Sequence, residues 1–233
     1  MLRGERVFHP RGIYFRAQVE PVAGPDAQLN AIAQGLAQDA ALVRLSSALY
    51  DMERGTLPDL LGCSIRFNVP AGDEAMIQPS SQDLLLATSP NVWMLPVAPF
   101  TTNQRDFLAN VYYGMADFEL AGRPDMRLRV VPLTQEAGSG PDRFAKIRDA
   151  VADGEVVFQL ETAAKSQPDQ WIPLVRIRLI SEVMIDDRTI AFWPFRTGQG
   201  IRPEGFVQFL RPVPYLASQW ARATIDEGED DDA

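Results

Sequence analysis

His9 is the one histidine in 233 residues. Imidazole titrates near neutral pH, so this side chain could take and return a proton in catalysis. A lone histidine near a terminus is more commonly a surface or core residue, and its neighbours must decide. One histidine excludes the usual zinc-protease and two-histidine iron arrangements. Carboxylate-only sites stay open: Asp59, Asp83, Asp186 and Asp187 could in principle hold Mg²⁺ for a phosphoester hydrolase. Gly138-Ser139-Gly140-Pro141 lacks a following Lys-Ser/Thr pair and reads as a turn, not a phosphate loop. Cys63 is the only cysteine. It sits in an apolar run and reads as an inert buried thiol.

Several elements must position these residues. Gly12 to Val22 alternates Ile13, Phe15, Ala17 and Val19 with Tyr14, Arg16, Gln18 and Glu20, a half-buried strand. Asp26 caps a helix with Leu29, Ile32, Ala33 and Leu36 at helical spacing. Short apolar runs bounded by Gly and Pro predict strands over 64–69, 83–88, 127–133, 155–162, 172–184 and 189–195. Helices are predicted from Thr101 or Thr102 to about Tyr113, from Pro141 to about Ala152, and from Pro214 to about Thr224. Loops fall near 70–80, 134–141 and 196–205. Trp93, Phe100, Trp171, Trp193 and Trp220 read as core or pocket wall, with Met115 and Met126 as core filler. The pattern is α+β, an antiparallel barrel with helices outside it. It makes one domain over 1–224, followed by an acidic tail, 225–233, expected to be disordered.

Composition narrows the function further. The net charge is −9, and Lys146 and Lys165 are the only lysines. An acidic chain without a basic stripe argues against nucleic-acid binding, which depends on neutralising phosphates. No apolar run approaches the roughly 20 residues of a membrane-spanning helix. The N-terminus lacks the apolar core of a signal peptide. These features, with no possible intrachain disulfide, give the expectation of a cytoplasmic protein without membrane insertion.

Six blocks in order carry a family resemblance. Arg6-Val7-Phe8-His9-Pro10-Arg11-Gly12 resembles the catalase distal pattern R-V-x-H-x-[KR]-G. Val43-Arg44-Leu45-Ser46 is similar to V-R-F-S. The run Asp59 to Phe67 resembles D-x-x-G-x-[AS]-[IV]-[KR]-F. Asp83-Leu84-Leu85, leading to Thr88-Ser89-Pro90, resembles the strand that holds the distal asparagine. Phe192-Trp193-Pro194 resembles F-N-P, and Arg211 to Tyr215 matches the proximal R-x-x-x-Y. Together the blocks span residues 6–222 and resemble the haem catalase superfamily, in particular its small catalase-related members.

The resemblance implies one haem b and a role for each matched residue. Tyr215 would be the axial iron ligand. Arg211, one helical turn earlier, would stabilise its phenolate. Arg6, Arg44 and Arg222 would pair with the haem propionates, which suit a planar guanidinium. His9 would be the acid–base catalyst for hydroperoxide cleavage, oriented by Ser46. Thr88, or Ala87 one residue earlier, stands in place of the distal asparagine. Phe8 replaces a smaller aliphatic residue, and Pro212 and Pro214 crowd the proximal block. No N-terminal arm, wrapping domain or flavodoxin-like domain accompanies the motifs. These departures favour a peroxidase acting on organic or lipid hydroperoxides over efficient hydrogen-peroxide disproportionation. A non-catalytic haem or apolar-ligand binder of the same fold is the alternative. A homodimer is the generic expectation for a soluble enzyme.

Overall fold

The alternating first strand is part of a closed sheet. A computed structural model describes residues 11–48, 59–134, 138–154, 156–186 and 189–204. The strands, in chain order, are Arg11–Pro21 (β1), Ala40–Ser47 (β2), Leu61–Val69 (β3), Gln82–Ala87 (β4), Tyr112–Gly114 (β5), Asp117–Leu120 (β6), Arg123–Pro132 (β7), Val157–Ala164 (β8), Ile172–Val183 (β9) and Ile201–Glu204 (β10). Eight of them close an antiparallel barrel in the order β7, β5, β4, β3, β2, β1, β9, β8 and back to β7. β6 and β10 extend the sheet from β7. Closure leaves those eight strands no free edge, and their inward residues fill the interior. Ile13, Phe15, Ala17 and Val19 of β1 belong to that core, with Val43 and Leu45 of β2 and Ile65 and Phe67 of β3.

Helices are few. Ala27–Leu36 (α1) is capped by Asp26, whose carboxylate accepts from the amides of Gln28 and Leu29. Its buried residues include Leu29, Ile32, Ala33 and Leu36, the spacing read from sequence. Ala98–Thr101 (α2) is a single turn. Arg143–Ala152 (α3) starts at the Asp142 cap and gives way to Gly154, whose φ of +81° suits glycine.

Four elements differ from the sequence expectation. No helix runs from 101 to 113. Phe107–Ala109 is a 3-10 turn capped by Asp106, and Tyr112 and Tyr113 lie in β5. Asn110 Nδ2 donates to the carbonyls of Asn103 and Asp106, and its Oδ1 accepts from the Asn103 amide. These side-chain bonds take backbone groups a helix would use. The segment 189–195 is not a strand. Arg66 bonds the Ala191 carbonyl and Asp83 the Trp193 amide, so side chains replace a ladder. β2 carries no alternation signal because its residues are buried on both faces. The 196–205 loop also contains β10.

A candidate site on the outer wall of the barrel

Cross-strand register assembles a row of small residues. Gly12 of β1 pairs with Ser46 of β2, Ser46 with Gly62 of β3, and Gly62 with Ala87 of β4. Directly paired residues share a face, here the outer one, because Ile13, Leu45, Cys63 and Leu86 point into the core. The next row holds Tyr14, Arg44, Ser64 and Leu85. Arg44 and Ser46 therefore stand two residues apart on one face, and each is 2% exposed. Gly12 lies three residues beyond His9 in the chain. The outer wall carries its own apolar cluster of Tyr14, Leu42, Val69 and Ile190.

The segment from 190 to 197 is fastened to this wall by a buried charge cluster. Arg66 Nε donates to Asp83 Oδ1 at 2.9 Å, and the two residues are direct cross-strand partners. Asp83 also accepts from Arg196 and from the Trp193 amide, at 2.8 Å for the latter. Phe192 lies under the Arg66 guanidinium, with its ring centroid 5.2 Å from Cζ. Burial pulls the Arg196 pKa down, opposed by Asp83. The Phe192-Trp193-Pro194 block is thus held against β3 and β4.

Thr88 follows β4, and its hydroxyl is engaged. It accepts from the Leu61 amide at 3.1 Å and lies 2.8 Å from Thr102 Oγ1. Thr102 gives its own proton to the Ala98 carbonyl, so Thr88 donates to Thr102. The residue that shares the outer face with Gly62 and Ser46 is Ala87, which has no hydrogen-bonding side chain.

A second polar cluster joins α3 to the barrel. Arg143 Nη2 donates to Asp59 at 3.0 Å and to Ser47 at 2.7 Å, and Nη1 to the Gln104 carbonyl. Ser47 also donates to Asp59 at 2.5 Å. Arg143 Nε has no hydrogen-bond partner among the described residues. Burial lowers the Arg143 pKa against the pull of Asp59. Burial alone pushes the Cys63 thiol up to about 12, and burial, joined by Cys63 and Asp106, raises the Tyr112 phenol well above its ordinary range. Cys63 is therefore the unreactive thiol the sequence suggests.

The structure brings Arg44 and Ser46 together and ties Thr88 into a strand-end lock. His9, Arg6, Arg211, Tyr215 and Arg222 lie outside the described residues, as do Phe8, Asp187, Trp220 and the tail 225–233. Asp59 and Asp83 are each held by arginine in separate clusters. Among the described residues, no three His, Cys, Asp or Glu side chains gather as a metal site. Tyr14 was legible only as the polar side of a strand, yet it is buried under Arg44. The signal that could have found it is its direct register with Arg44. Trp93, Phe100 and Trp193, expected in the core or a pocket wall, are instead exposed, Trp93 at 82%. Trp171 stacks under Arg129, Cζ lying 4.1 Å from a ring centroid.

No family model matches the sequence, and no curated protein matches it. No helix among the described residues is long and apolar enough to cross a membrane. Among solved structures, the chain is similar to catalase A from Saccharomyces cerevisiae, with TM-score 0.56, 11% identity, and coverage of 86% of this chain and 57% of that one. A fungal catalase gives the same TM-score and identity, with 86% of this chain and 55% of that one covered. The chain thus spans a little over half the length of these catalases. What the likeness establishes is the fold, a catalase-like antiparallel barrel.

Proposed function

We propose that the protein is a haem-dependent peroxidase that consumes organic or lipid hydroperoxides. The observation that carries this reading is the placement of Arg44 and Ser46, both buried, two residues apart on one outer face of a catalase-like barrel. A flat ring with carboxylate arms needs a floor free of projecting side chains and a cation beside it. The row Ser46, Gly62 and Ala87 supplies the first requirement, and Arg44, whose guanidinium lies over Gly12 at the end of that row, the second. When bound, haem b supplies the redox-active iron against which the O–O bond is split.

The chain's own residues do the rest. Tyr215 would be the residue that holds the metal, and Arg211 would keep its phenol oxygen deprotonated. Arg6, Arg44 and Arg222 would grip the propionates. His9 would take the hydroperoxide proton and return it to the leaving oxygen, so that the O–O bond breaks to give an alcohol and, after two electrons and two protons from a reducing co-substrate, water. Ser46 orients the imidazole. Thr88 acts indirectly, because its hydroxyl proton is committed to Thr102. The protein works in the cytoplasm, as a homodimer of haem-loaded chains.

A second reading has its own support. Ala87 offers no hydrogen bond on the face where a substrate oxygen would lie, which favours a barrel that binds haem without turnover. His9→Ala separates the two. Under the peroxidase reading the variant keeps haem, and turnover of cumene hydroperoxide falls about 100-fold or more. Equal turnover by wild type and variant removes the catalytic role of His9. No turnover by haem-loaded wild type leaves the binding protein.

A further inference from the structure

The space a side chain would take at Gly12 is already filled. A Cβ placed there would lie 2.5 Å from both Cζ and Nε of Arg44 and 2.7 Å from Nη2. Near-equal distances to three atoms of one plane mean that the guanidinium lies face-on to the β1 backbone. Arg44 reaches this position diagonally, since its own register partner is Tyr14 and Gly12 is opposite Ser46. One row along a strand is two residues, about 7 Å, which an extended arginine spans. The Tyr14 ring forms the second wall, its centroid 5.6 Å from Cζ. Tyr14 and Arg44 are both 2% exposed.

We propose that Gly12 and Tyr14 are positioning residues that seat the Arg44 guanidinium parallel to the barrel wall, set to grip a carboxylate of the bound ligand. The inference rests on the porphyrin reading above. A face-on guanidinium holds its N–H groups in the plane of the wall, along which a ligand on Ser46, Gly62 and Ala87 would lie. An unseated arginine would have to be ordered on binding, at a cost in affinity. Any side chain at position 12 lifts the guanidinium from its seat. A lysine at position 44 would carry no plane to seat and would be indifferent to a methyl group there.

The test titrates wild type, Gly12→Ala, Arg44→Lys and the double variant with protoporphyrin IX and with its dimethyl ester, followed by fluorescence. Protoporphyrin IX carries the carboxylates without iron, so binding does not depend on Tyr215. Gly12→Ala is expected to weaken binding of the acid about tenfold, the scale of one charge-assisted hydrogen bond, and to leave the ester unchanged. In the Arg44→Lys background, Gly12→Ala is expected to change binding of the acid less than about twofold. Equal losses in both backgrounds, or for acid and ester alike, overturn the seat. A readout without ligand is the Arg44 Nε–H proton resonance, shielded by the Tyr14 ring and slow to exchange. It should move to the position of an exposed arginine in Gly12→Ala and in Tyr14→Leu, and an unmoved resonance overturns the seat even where a variant is unstable. Wild type that binds neither porphyrin overturns the porphyrin reading and the carboxylate role with it. Binding by wild type with no effect of Gly12→Ala overturns the seat alone.

Discussion

Asp83 accepts hydrogen bonds from Arg66, Arg196 and the Trp193 amide while wholly buried. Removing its charge leaves two arginines facing each other without compensation. Asp83→Asn should therefore cost about 3–5 kcal/mol, read from denaturant unfolding. A loss under about 1 kcal/mol would mean that water or another acid neutralises the cluster. At Cys63 the expected outcome is chemical silence. With its thiol pushed up to about 12 by burial, native protein at pH 8 should not react with a disulfide reagent. The thiol should react only at the rate of unfolding, and rapid labelling of native protein would contradict its burial. Sequence could single out Arg44 and Ser46 by motif as candidates, and Cys63 by its apolar run. It could not show that Arg66 and Asp83 are partners, because the register that pairs them joins residues 17 apart in the chain.

The elements legible from local pattern were those that bury one face. β1 and α1 carry clean periods of two and 3.6, and both stand where their spacing puts them. Elements fastened by side chains were not legible. Residues 189–195 have the composition of a strand, but Arg66 and Asp83 take their backbone groups. Asn68 shows the same logic inside β3. Its φ is +59°, next to the irregularity in the β2–β3 register. Its side chain donates to the Gly35 and Ser80 carbonyls and accepts from the Asp39 amide. Asn68→Ala loses all three bonds and the tolerance of a left-handed backbone, and should destabilise by about 2 kcal/mol or more in thermal unfolding. Asn68→Gly, which loses the same bonds but accepts the left-handed backbone, should lose less than Asn68→Ala, and equal losses would show that the hydrogen bonds alone matter. Gly198 sits against the 79–81 backbone, where a Cβ would come within 2.5 Å of Ser80 C. That close approach joins two loops far apart in sequence, and no local pattern announces it.

At the scale of the molecule, the closed ring makes stability fall in alkali. The unfolded Cys63 thiol ionises near its ordinary value of 9.0, whereas the folded one holds its proton to about 12. Between those values the unfolded chain binds fewer protons, so stability drops as pH rises, by about 1.4 kcal/mol per unit for this group. Tyr112, also raised by burial, steepens the fall above pH 10. Unfolding free energies measured from pH 8 to 11 should show the decline, and Cys63→Ala should flatten its lower part. The surface holds a contrary lesson. Trp93 and Phe100 are exposed, so Trp93→Ala should shift stability by less than about 0.5 kcal/mol. The barrel was legible because ordered motifs spanned it. The outward turn of these aromatics was not, since hydrophobicity alone does not say which side of a wall a residue faces.

The central claim is that this barrel holds haem through Tyr215, and a visible-region titration of the purified protein with haemin tests it directly. A stoichiometric Soret band is expected, with ferric phenolate features that disappear in Tyr215→Phe. Folded protein that takes up no haem, or a spectrum unchanged in Tyr215→Phe, would contradict it.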